Sequence, residues 1–490
     1  MHATGWFRLT ASLYPATLSL LQDGERYMNR WAELFNGCRG GGIVIHSAWR
    51  LSNVRLGDPE DQDLSFDSLL RSPPSPPDVF VRLSGHALSV TNLVQLVRLR
   101  WLTARRVHVY PYLDQSYATW LGSFHQKATC FLHGDEVEVL LGSVDLTPRR
   151  RDNEQHRRSS AARRPSHDVG IEIGGHAAVE LMQAEIEMWS AASYYRDRVL
   201  WPYRTNKTQT PSTALDRLDS LRRPYAGTGN ELPNRVQILR TTPRPTRERS
   251  WPYAAYAERS TIQAYHDALK RAQKYIYIED QYFTPNFGDA GSGSWSWFYR
   301  LTPMDLLVAA LRKGVQLIVL VPGVNPNGPG IRHMRDRAVE GIKKQALSME
   351  IEPPIFAQLH GESERRRWRW RFRSLARGPV RNPVHVHSKV LVCDDEFAIV
   401  GSANLNGRSF VNDVELGIAV EGPFAAEIRR SLWTEHTGRS VDDWAEHAVV
   451  FRDAVDASDG RLVRYEPTPG VTPPGRYLRW LWRLSEPGRE

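Results

Sequence analysis

Residues 384–413, VHVHSKVLVCDDEFAIVGSANLNGRSFVND, form the stretch that decides the fold. His387 and Lys389 are two residues apart in an apolar run, so on a β-strand both side chains leave the same face of the sheet. An acidic turn, DDEF, contains Asp394, and the chain then returns through apolar residues to a Gly-Ser pair. This pattern predicts a β-hairpin that ends in a small polar turn.

The residue types in this stretch suit chemistry on an anion. His387 can attack an electrophile or transfer a proton, because the ordinary pKa of His lies near neutral pH. Lys389 supplies positive charge, while Asn404 and the backbone of Gly401–Ser402 supply neutral donors. A lone H-x-K pair more often reflects a buried structural His beside a surface Lys. The full string H-x-K-x4-D-x6-G-S-x-N is much more specific, and its residue types together would stabilise an anionic centre such as a phosphate.

A second string of the same kind occurs earlier in the chain. His125 and Lys127 are followed by apolar residues, an acidic turn and a Gly-Ser pair that contains Ser143. Asp145 occupies the position that Asn404 has in the later string. Two strings of this length at a long period indicate an internal duplication rather than chance.

The alignment of the two halves continues beyond the strings. HDVGIEIGG aligns with NDVELGIAVEG, which pairs Asp168 with Glu415, and a similar amphipathic helix follows each segment. A charged imidazole is stabilised by a carboxylate on its second nitrogen. Asp168 and Glu415 are the acids at matched positions, so we expect them to orient the two histidines.

The two strings differ in the spacing of their acids. The residue five positions after Lys127 is Leu132 rather than Asp, and the nearest acid is Asp135. Counted back from the Gly-Ser pairs, however, Asp135 and Asp394 both lie seven residues before the Gly. The spacing therefore predicts a first hairpin that is three residues longer, with both acids bracing their hairpins. The alternative is a degenerate first string that no longer orients its His.

Helices and strands alternate in both halves. An amphipathic helix precedes an apolar strand in GERYMNRWAELFNG…IVIHSAW and in TIQAYHDALKRAQKYIYIEDQYF. Each is followed by another helix and strand, LVQLVRLRWLTARRVHVYPYL and PMDLLVAALRKGVQLIVLVPG, which we treat as equivalent. This βαβ alternation predicts parallel strands covered by helices. We expect two similar halves, 1–204 and 233–490, joined by a polar linker rich in Pro and Gly at 205–232.

Composition limits the partners but does not choose one. The 490 residues are 41% hydrophobic and 24% charged, which is typical of a globular chain of about two domains. Lys and Arg number 64 against 55 Asp and Glu, and the net charge of +9 favours phospholipid surfaces, nucleic acids or phosphorylated metabolites. The three cysteines form no disulfide framework, and the sequence has no metal-ligand spacing.

The ends of the chain and one internal ribbon bear on localisation. No apolar run is long enough to span a bilayer and none resembles a cleaved signal, so a cytoplasmic or peripheral membrane protein is expected, with signal-independent export as the alternative. The segment ERRRWRWRFRSLARGP, residues 364–379, alternates basic and aromatic side chains. It suits a membrane interface, or equally an exposed hairpin that packs on its own domain. The proposed membrane contacts are Arg367, Trp368, Arg369, Trp370 and Phe372.

Taken together, these strings resemble the signature of the phospholipase D superfamily, whose members carry the H-x-K motif twice. The resemblance covers most of the chain, since YIYIEDQYF, DLTPRRRDNEQH and HDVGIEIGG also resemble segments of that family. It is strongest to the phospholipase D enzymes of bacteria. It implies two α/β sandwich halves related by a pseudo-twofold axis, with both hairpins in one active site of a monomer.

The resemblance also implies roles for individual residues. Lys127 and Lys389 would bind the phosphate. One His would form a phosphohistidine, and the other would protonate the headgroup oxygen and activate water; by resemblance these are His125 and His387, respectively. The remaining phosphate ligands would be Ser143, Asp145, Ser402 and Asn404. The reaction would need no metal and no cofactor.

Four functions remain open at this point. The first is hydrolysis of phosphatidyl headgroup esters to phosphatidic acid at a membrane surface. The second is a phosphatidyl transferase of the cardiolipin synthase kind, against which the lack of N-terminal spans argues weakly. The third is a nuclease, which the positive charge would also suit, although small relatives with that activity carry a single motif and dimerise. The fourth is a noncatalytic lipid-binding module.

Overall fold

The structure, a computed structural model, shows a mixed α/β fold with two large sheets. It describes these parts of the chain: 6, 11–57, 64–71, 75–85, 90–104, 108–114, 123–157, 165–194, 211–225, 233–242, 258–285, 302–323, 329–363, 380–458 and 460–467. The basic and aromatic ribbon at 364–379 and parts of the linker lie outside the described residues. None of the helices in these ranges is long and apolar enough to cross a membrane.

The first half and the helix after it contain nine strands and five helices within the described ranges. The strands are β1 Tyr14–Pro15, β2 Thr17–Gln22, β3 Ile43–Ala48, β4 Asp78–Ser84, β5 Val109–Asp114, β6 Lys127–His133, β7 Glu136–Gly142, β8 Ser166–His167 and β9 Val169–Gly174. The helices are α1 Asp23–Gly37, α2 Phe66–Arg71, α3 Val90–Ala104, α4 His176–Tyr194 and α5 Ser212–Arg222.

The second half continues the same alternation of helices and strands. Its strands are β10 Arg235–Thr241, β11 Tyr275–Asp280, β12 Gln316–Leu320, β13 Ile355–Ser363, β14 Val380–Pro383, β15 His385–Val386, β16 Lys389–Cys393, β17 Phe397–Gly401, β18 Glu415–Glu421 and β19 Leu462–Arg464. Its helices are α6 Ser260–Arg271, α7 Pro303–Arg312, α8 Pro329–Ser348, α9 Gly407–Val411, α10 Phe424–Thr437 and α11 Trp444–Ala457.

The two large sheets share one strand order. The first runs β2-β9-β7-β6-β3-β4-β5, and the second contains β10-β18-β17-β16-β11-β12-β13. In both, the first five strands are antiparallel neighbours and the last three are parallel. This common order is what an internal duplication predicts. The chain crosses between the sheets at its start, because β1 pairs with β10.

The strand order corrects one sequence alignment. We treated the helix and strand that became α3 and β5 as equivalent to α7 and β12, but β5 is the outer parallel strand and matches β13. The true counterpart of β12 is β4, which follows the short helix α2. The error arose because α2 has only six residues, too few for a periodic pattern. The predicted linker also contains a helix, α5, and the domain boundaries stay a prediction.

The H-x-K hairpins differ in length as the acid spacing predicted. In the first, Ala128 pairs with Leu141 and a two-residue turn joins β6 to β7. In the second, Val390 pairs with Val400 and a three-residue turn joins β16 to β17. Each strand of the first hairpin has seven residues, against five in the second. The first hairpin is therefore longer and keeps the register of its Lys and its Gly-Ser pair.

One buried core joins the two sheets, and each sheet has a second core on its other face. Cys130 and Ile171 from the first sheet share a cluster with Tyr277, Val390 and Ile418 from the second. Helices α4 and α10 contribute to this central cluster, whereas α1 and α3 cover the outer face of the first sheet, and α6 to α8 that of the second. Each fully buried Val, Leu or Ile contributes about 1.5–3 kcal/mol, so the shared core holds both halves in fixed relation.

Candidate active site

The backbone before each H-x-K motif lies against the other half of the molecule. Phe124 forms a bridge with Val414, and His125 N donates to Val414 O at 2.9 Å. In the second half β15 pairs with β8, and His387 N donates to His167 O at 2.8 Å. Each motif therefore runs beside the residue that immediately precedes the orienting acid of the opposite half.

This arrangement exchanges the predicted orienting acids between the halves. His125 Nδ1 lies 3.1 Å from both carboxylate oxygens of Glu415, and His387 Nδ1 lies 2.7 Å from Asp168 Oδ1. Because a carboxylate only accepts, each Nδ1 carries the proton, and Nε2 is the basic atom of each ring. No described residue forms a hydrogen bond with either Nε2 atom, so both are available to a ligand.

The Gly-Ser pairs support the acids. Ser143 Oγ donates to Asp168 Oδ1 at 2.8 Å, and Ser402 Oγ donates to Glu415 Oε2 at 2.6 Å. The preceding glycine permits this approach: a Cβ on Gly401 would lie 2.6 Å from the Cα of Gly417. The contacts favour a role for both serines in orienting acids, and their predicted contact with substrate phosphate stays a prediction.

The two motif lysines are buried with their ammonium groups fixed on the backbone. Lys127 Nζ donates to His125 O at 2.9 Å, and Lys389 Nζ donates to His387 O at 2.5 Å. Lys389 also donates to Gln281 Oε1 at 3.2 Å. An ammonium has three N–H donors, so each Lys keeps at least one for a ligand.

The charges of the site act on both imidazoles. Burial, and the nearby Lys127 and Lys389, hold the pKa values of His125 and His387 well below the usual range. Because His125 contacts Glu415 of the second half and His387 contacts Asp168 of the first, the two motifs are interlocked across the interface between the halves. Burial also lowers the pKa of Lys389 to about 7 and raises that of Glu415 to about 7.

The other two predicted phosphate ligands, Asp145 and Asn404, have different contacts in the structure. Asp145 Oδ1 accepts from Arg50 N at 2.9 Å, and its Oδ2 lies 3.9 Å from Lys127 Nζ. An acid there shares the positive charge of the Lys and would repel a phosphate, so the contacts favour a role in positioning Lys127. Asn404 Oδ1 is buried and forms no hydrogen bond with a described residue, but this oxygen is an acceptor, so contact of the Asn404 amide with a substrate phosphate stays a prediction.

Of the two predicted hairpin-bracing acids, one braces and the other does not. Asp394 accepts from the backbone N–H groups of Gln273, Lys274 and Tyr275 at 2.8, 2.8 and 2.9 Å, which ties the hairpin to the start of β11. Asp135 was predicted to do the same, and this prediction is wrong: it is exposed and contacts no donor in the described ranges. The longer strands carry the turn of the first hairpin beyond the neighbouring backbone.

Sequence reasoning missed several residues around the site. Asp280 accepts from the N–H groups of Phe283 and Leu405 at 2.5 and 2.8 Å and so holds the loop before α9. Arg150 Nη1 donates to Ser166 Oγ at 2.8 Å and lies 3.6 Å from Asp168 Oδ2. The buried Asp280 is the last residue of the apolar strand β11, which is a detectable signal. Arg150 stands in a run of three arginines, and no feature of the sequence singles it out.

The two halves present different neighbours to the site. Trp49 follows β3, and its ring centroid lies 5.8 Å from that of His125, with the Arg50 guanidinium 4.1 Å from the indole. The equivalent residue after β11 is Gln281. The His125 side chain is 12% exposed and that of His387 is 3% exposed, so the first ring is the more open one. The fold and site define an α/β protein with two sheets of the same strand order and two interlocked H-x-K motifs.

Comparison with known proteins agrees with this class. Residues 265–435 match the family model described as "Cardiolipin synthase, PLD-like domain". The chain is 26% identical over 211 residues to "Phospholipase D zeta 1" of Arabidopsis thaliana, covering 37% of this chain and 19% of that protein. It is 25% identical over 294 residues to "Phospholipase D2" of Bos taurus, covering 54% and 28%. The matched region thus spans less than a third of these curated relatives.

A solved structure extends the likeness to the whole fold. The phosphatidylserine synthase of Haemophilus influenzae Rd KW20 superposes with a TM-score of 0.54 at 14% identity, covering 97% of this chain and 95% of that chain. The described fold is therefore shared with that protein. The sequence matches and this fold together support membership of the phospholipase D superfamily.

Proposed function

We propose that this protein is a phospholipase D-type phosphodiesterase that cleaves phosphatidyl headgroup esters to phosphatidic acid through a phosphohistidine. The exchange of acids between the halves carries the proposal. With Nδ1 of each ring held by an acid of the opposite half, Glu415 or Asp168, each imidazole keeps its Nε2 for a substrate that would bind between the two motifs. Two such rings with two buried lysines can act together on one phosphorus atom.

The first step transfers the phosphatidyl group to the protein. Nε2 of His125 attacks the phosphorus, the P–N bond forms, and the bond from phosphorus to the headgroup oxygen breaks. His387 gives its Nε2 proton to that oxygen, which leaves as an alcohol. In the free protein the pKa of His387 is low because of burial and nearby cations. A bound phosphodiester offsets those cations, so substrate raises this pKa and supplies the protonated acid.

The second step releases the product. The neutral His387 takes a proton from water, the water oxygen attacks phosphorus, and the P–N bond breaks to give phosphatidic acid. Asp168 and Glu415 stabilise whichever ring is positively charged. Lys127 and Lys389 bind the nonbridging oxygens in both transition states, and Asn404 can donate a further hydrogen bond.

A phosphatidyl transferase is the second candidate, and the matching family model favours it. Residues 265–435, which match that model, contain the whole second motif. An alcohol in place of water in the second step would convert hydrolysis into transfer with the same protein groups. The two functions therefore differ in the acceptor of the phosphatidyl group, which is water or an alcohol, and not in the catalytic residues.

One experiment distinguishes these candidates. The full chain is incubated with phosphatidylcholine vesicles in buffer alone and in buffer with glycerol, and the lipids are resolved by mass spectrometry. We expect phosphatidic acid in the first case, and phosphatidylglycerol in the second in proportion to transfer. His125→Ala and His387→Ala serve as controls, and linear DNA serves as an alternative substrate. DNA cleavage without lipid turnover would overturn the proposal.

Trapping by rapid denaturation in alkaline detergent tests the intermediate separately. Phosphatidyl substrate labelled in the phosphate should leave label on the protein in wild type, in an acid-labile and alkali-stable form. His387→Ala should accumulate label with water attack slowed, whereas His125→Ala should trap none. Label that resists acid, as on Ser or Thr, would contradict a phosphohistidine.

We also propose that the protein meets its substrate at a membrane surface through the segment 364–379. Its alternating Arg and aromatic residues are suited to lipid phosphates and to headgroup depth. Trp368→Ala combined with Trp370→Ala should weaken binding to phosphatidylcholine vesicles while leaving turnover of a short-chain soluble ester intact. Loss of both vesicle binding and turnover of the soluble ester would instead indicate that the segment is needed for folding.

A further inference from the structure

A buried group of acids and imidazoles joins the two halves beside the segment that holds Asp168. It consists of Asp23 at the start of α1, His156 in the loop before β8, His167 in β8, and Glu435 in α10. All four residues are at most 9% exposed, and their potential ligand atoms lie within 4.8 Å of one another. The proposed reaction uses none of these side chains.

The distances between the inward atoms suit a tetrahedral metal ion. His167 Nδ1 lies 3.0 Å from Asp23 Oδ1 and 3.3 Å from Glu435 Oε1. His156 Nε2 lies 3.0 Å from Glu435 Oε1 and 3.9 Å from Asp23 Oδ2. Ligands at about 2.0–2.1 Å from a tetrahedral zinc ion are roughly 3.4 Å apart, which falls within this range.

The outward nitrogens of both imidazoles are held as in metal sites. His156 Nδ1 lies 3.1 Å from Asp152 Oδ2, and His167 Nε2 lies 3.0 Å from Glu279 Oε2. A His that binds a metal almost always donates its other N–H to such an acceptor, which fixes the tautomer. Glu279 is itself fixed, since Tyr277 donates to its Oε1 at 2.6 Å. Without a metal ion the inward nitrogens would have to donate their protons to the two carboxylates of the group, and a bound ion would take the place of those protons.

The acids provide a matching charge and an unused oxygen. Asp23 Oδ2 is buried and forms no hydrogen bond with any residue in the described ranges. Two ionised acids, Asp23 and Glu435, neutralise one divalent cation when both imidazoles are neutral. Two additional protons, one on each imidazole, would supply the same two positive charges as the metal ion. The alternative is therefore a metal-free network in which two charged imidazoles pair with the two carboxylates. Only direct measurement of metal separates these two occupants.

We propose that Asp23, His156, His167 and Glu435 bind one divalent transition-metal ion of the zinc class. Two nitrogen and two oxygen ligands suit zinc, and four protein ligands leave no open position, so the ion is structural rather than catalytic. It fastens α10 of the second half to the start of α1 and to β8. Linear spacing does not reveal this group, because its members stand at positions 23, 156, 167 and 435.

Metal analysis of the full chain is the first test. The protein is purified without a metal-binding tag, dialysed against metal-free buffer and analysed by inductively coupled plasma mass spectrometry. We expect about one zinc per chain, falling below about 0.2 in the size-matched variant Glu435→Gln and in His156→Ala. His108→Ala is the matched control, because it removes an imidazole that lies 3.0 Å from an acid, Asp78, and belongs to neither this group nor any other possible metal-binding group in the described ranges. Its zinc content should not change.

If the variants fail to fold, the proposal can still be tested by removing the metal from the wild-type protein and adding it back. After removal of metal with a chelator, addition of Co²⁺ should give the visible absorption bands of four-coordinate cobalt, saturating at about one equivalent. Zn²⁺ should raise the Tm with the same stoichiometry, since binding to the folded state alone stabilises it. Less than about 0.1 metal per purified chain, with no cobalt bands and no change in Tm, would overturn the proposal in favour of the ionic network.

Discussion

The two H-x-K hairpins hold the same chemical groups but support them differently. In the second, Asp394 ties the turn to three backbone N–H groups, and His387 is almost fully buried. In the first, the turn is exposed and His125 is partly open beside Trp49. The difference shows that the two halves hold the same reacting groups in different surroundings, with one open and one enclosed imidazole. An open ring suits a nucleophile and an enclosed ring suits a proton donor.

The largest expected effect tests whether the two histidines have different roles. Both His125→Ala and His387→Ala should lower kcat on phosphatidylcholine by about 10³-fold or more. A phosphodiester with a p-nitrophenol leaving group needs little protonation, so it should restore activity to His387→Ala by about 10-fold or more but not to His125→Ala. Steady-state kinetics on both substrates decides this. Rescue of His125→Ala alone would reverse the two roles.

The exchange of acids between the halves gives the next effect. Glu415→Gln and Asp168→Asn should each lower kcat by about 10²–10⁴-fold, because the amide no longer accepts a proton-bearing Nδ1 equally well. Glu421→Gln, at the far end of the same strand as Glu415, is the control and should keep wild-type kcat. Proton NMR of the imidazole N–H signals would show which ring is disturbed. Loss of the His387 signal in Glu415→Gln would contradict the exchanged pairing.

The pH profile should sharpen the comparison further. Glu415 must be ionised to hold His125, and its pKa is raised by burial to about 7, so kcat/KM should fall as pH drops below 7. Lys389 must be protonated, and burial lowers its pKa to about 7, so kcat/KM should also fall above 7. Lys389→Arg should extend the alkaline side, since guanidinium stays charged. An unchanged alkaline side in an active Lys389→Arg variant would contradict this assignment.

The smallest expected effect concerns hairpin support. Asp394→Ala removes three hydrogen bonds to backbone N–H groups and should lower the free energy of unfolding by about 2–4 kcal/mol. Asp135→Ala alters an exposed turn and should change it by less than about 0.5 kcal/mol. Urea denaturation followed by circular dichroism measures both. Equal losses would mean that the first turn has a bracing contact after all.

The sequence predicted the local features of the site well. Period-two apolar runs and the Gly-Ser pairs located both hairpins, and counting back from Gly142 located the three-residue extension. The repeat alignment singled out Asp168 and Glu415 because duplicated positions retain a shared role. Strand pairing and local turns leave their pattern within a few residues, which is why these predictions succeeded.

Features that depend on how the halves meet could not be read from the pattern. The alignment selects two acids but does not say that each serves the His of the other half. The bracing role of Asp135 was wrong, because exposure of a turn depends on strand length relative to neighbouring loops. The group around His156 and His167 brings together residues hundreds of positions apart. Such contacts are set by tertiary packing rather than by any local period.

The crossed pairing of acids and imidazoles also limits how this protein can evolve. A substitution beside Asp168 disturbs the imidazole of His387, which belongs to the other half of the chain. A substitution that compensates for it is therefore expected near His387, which lies 219 residues from Asp168 in the sequence. Neither half therefore carries a complete imidazole–carboxylate pair of its own, and one half expressed alone would lack the acid that holds its His.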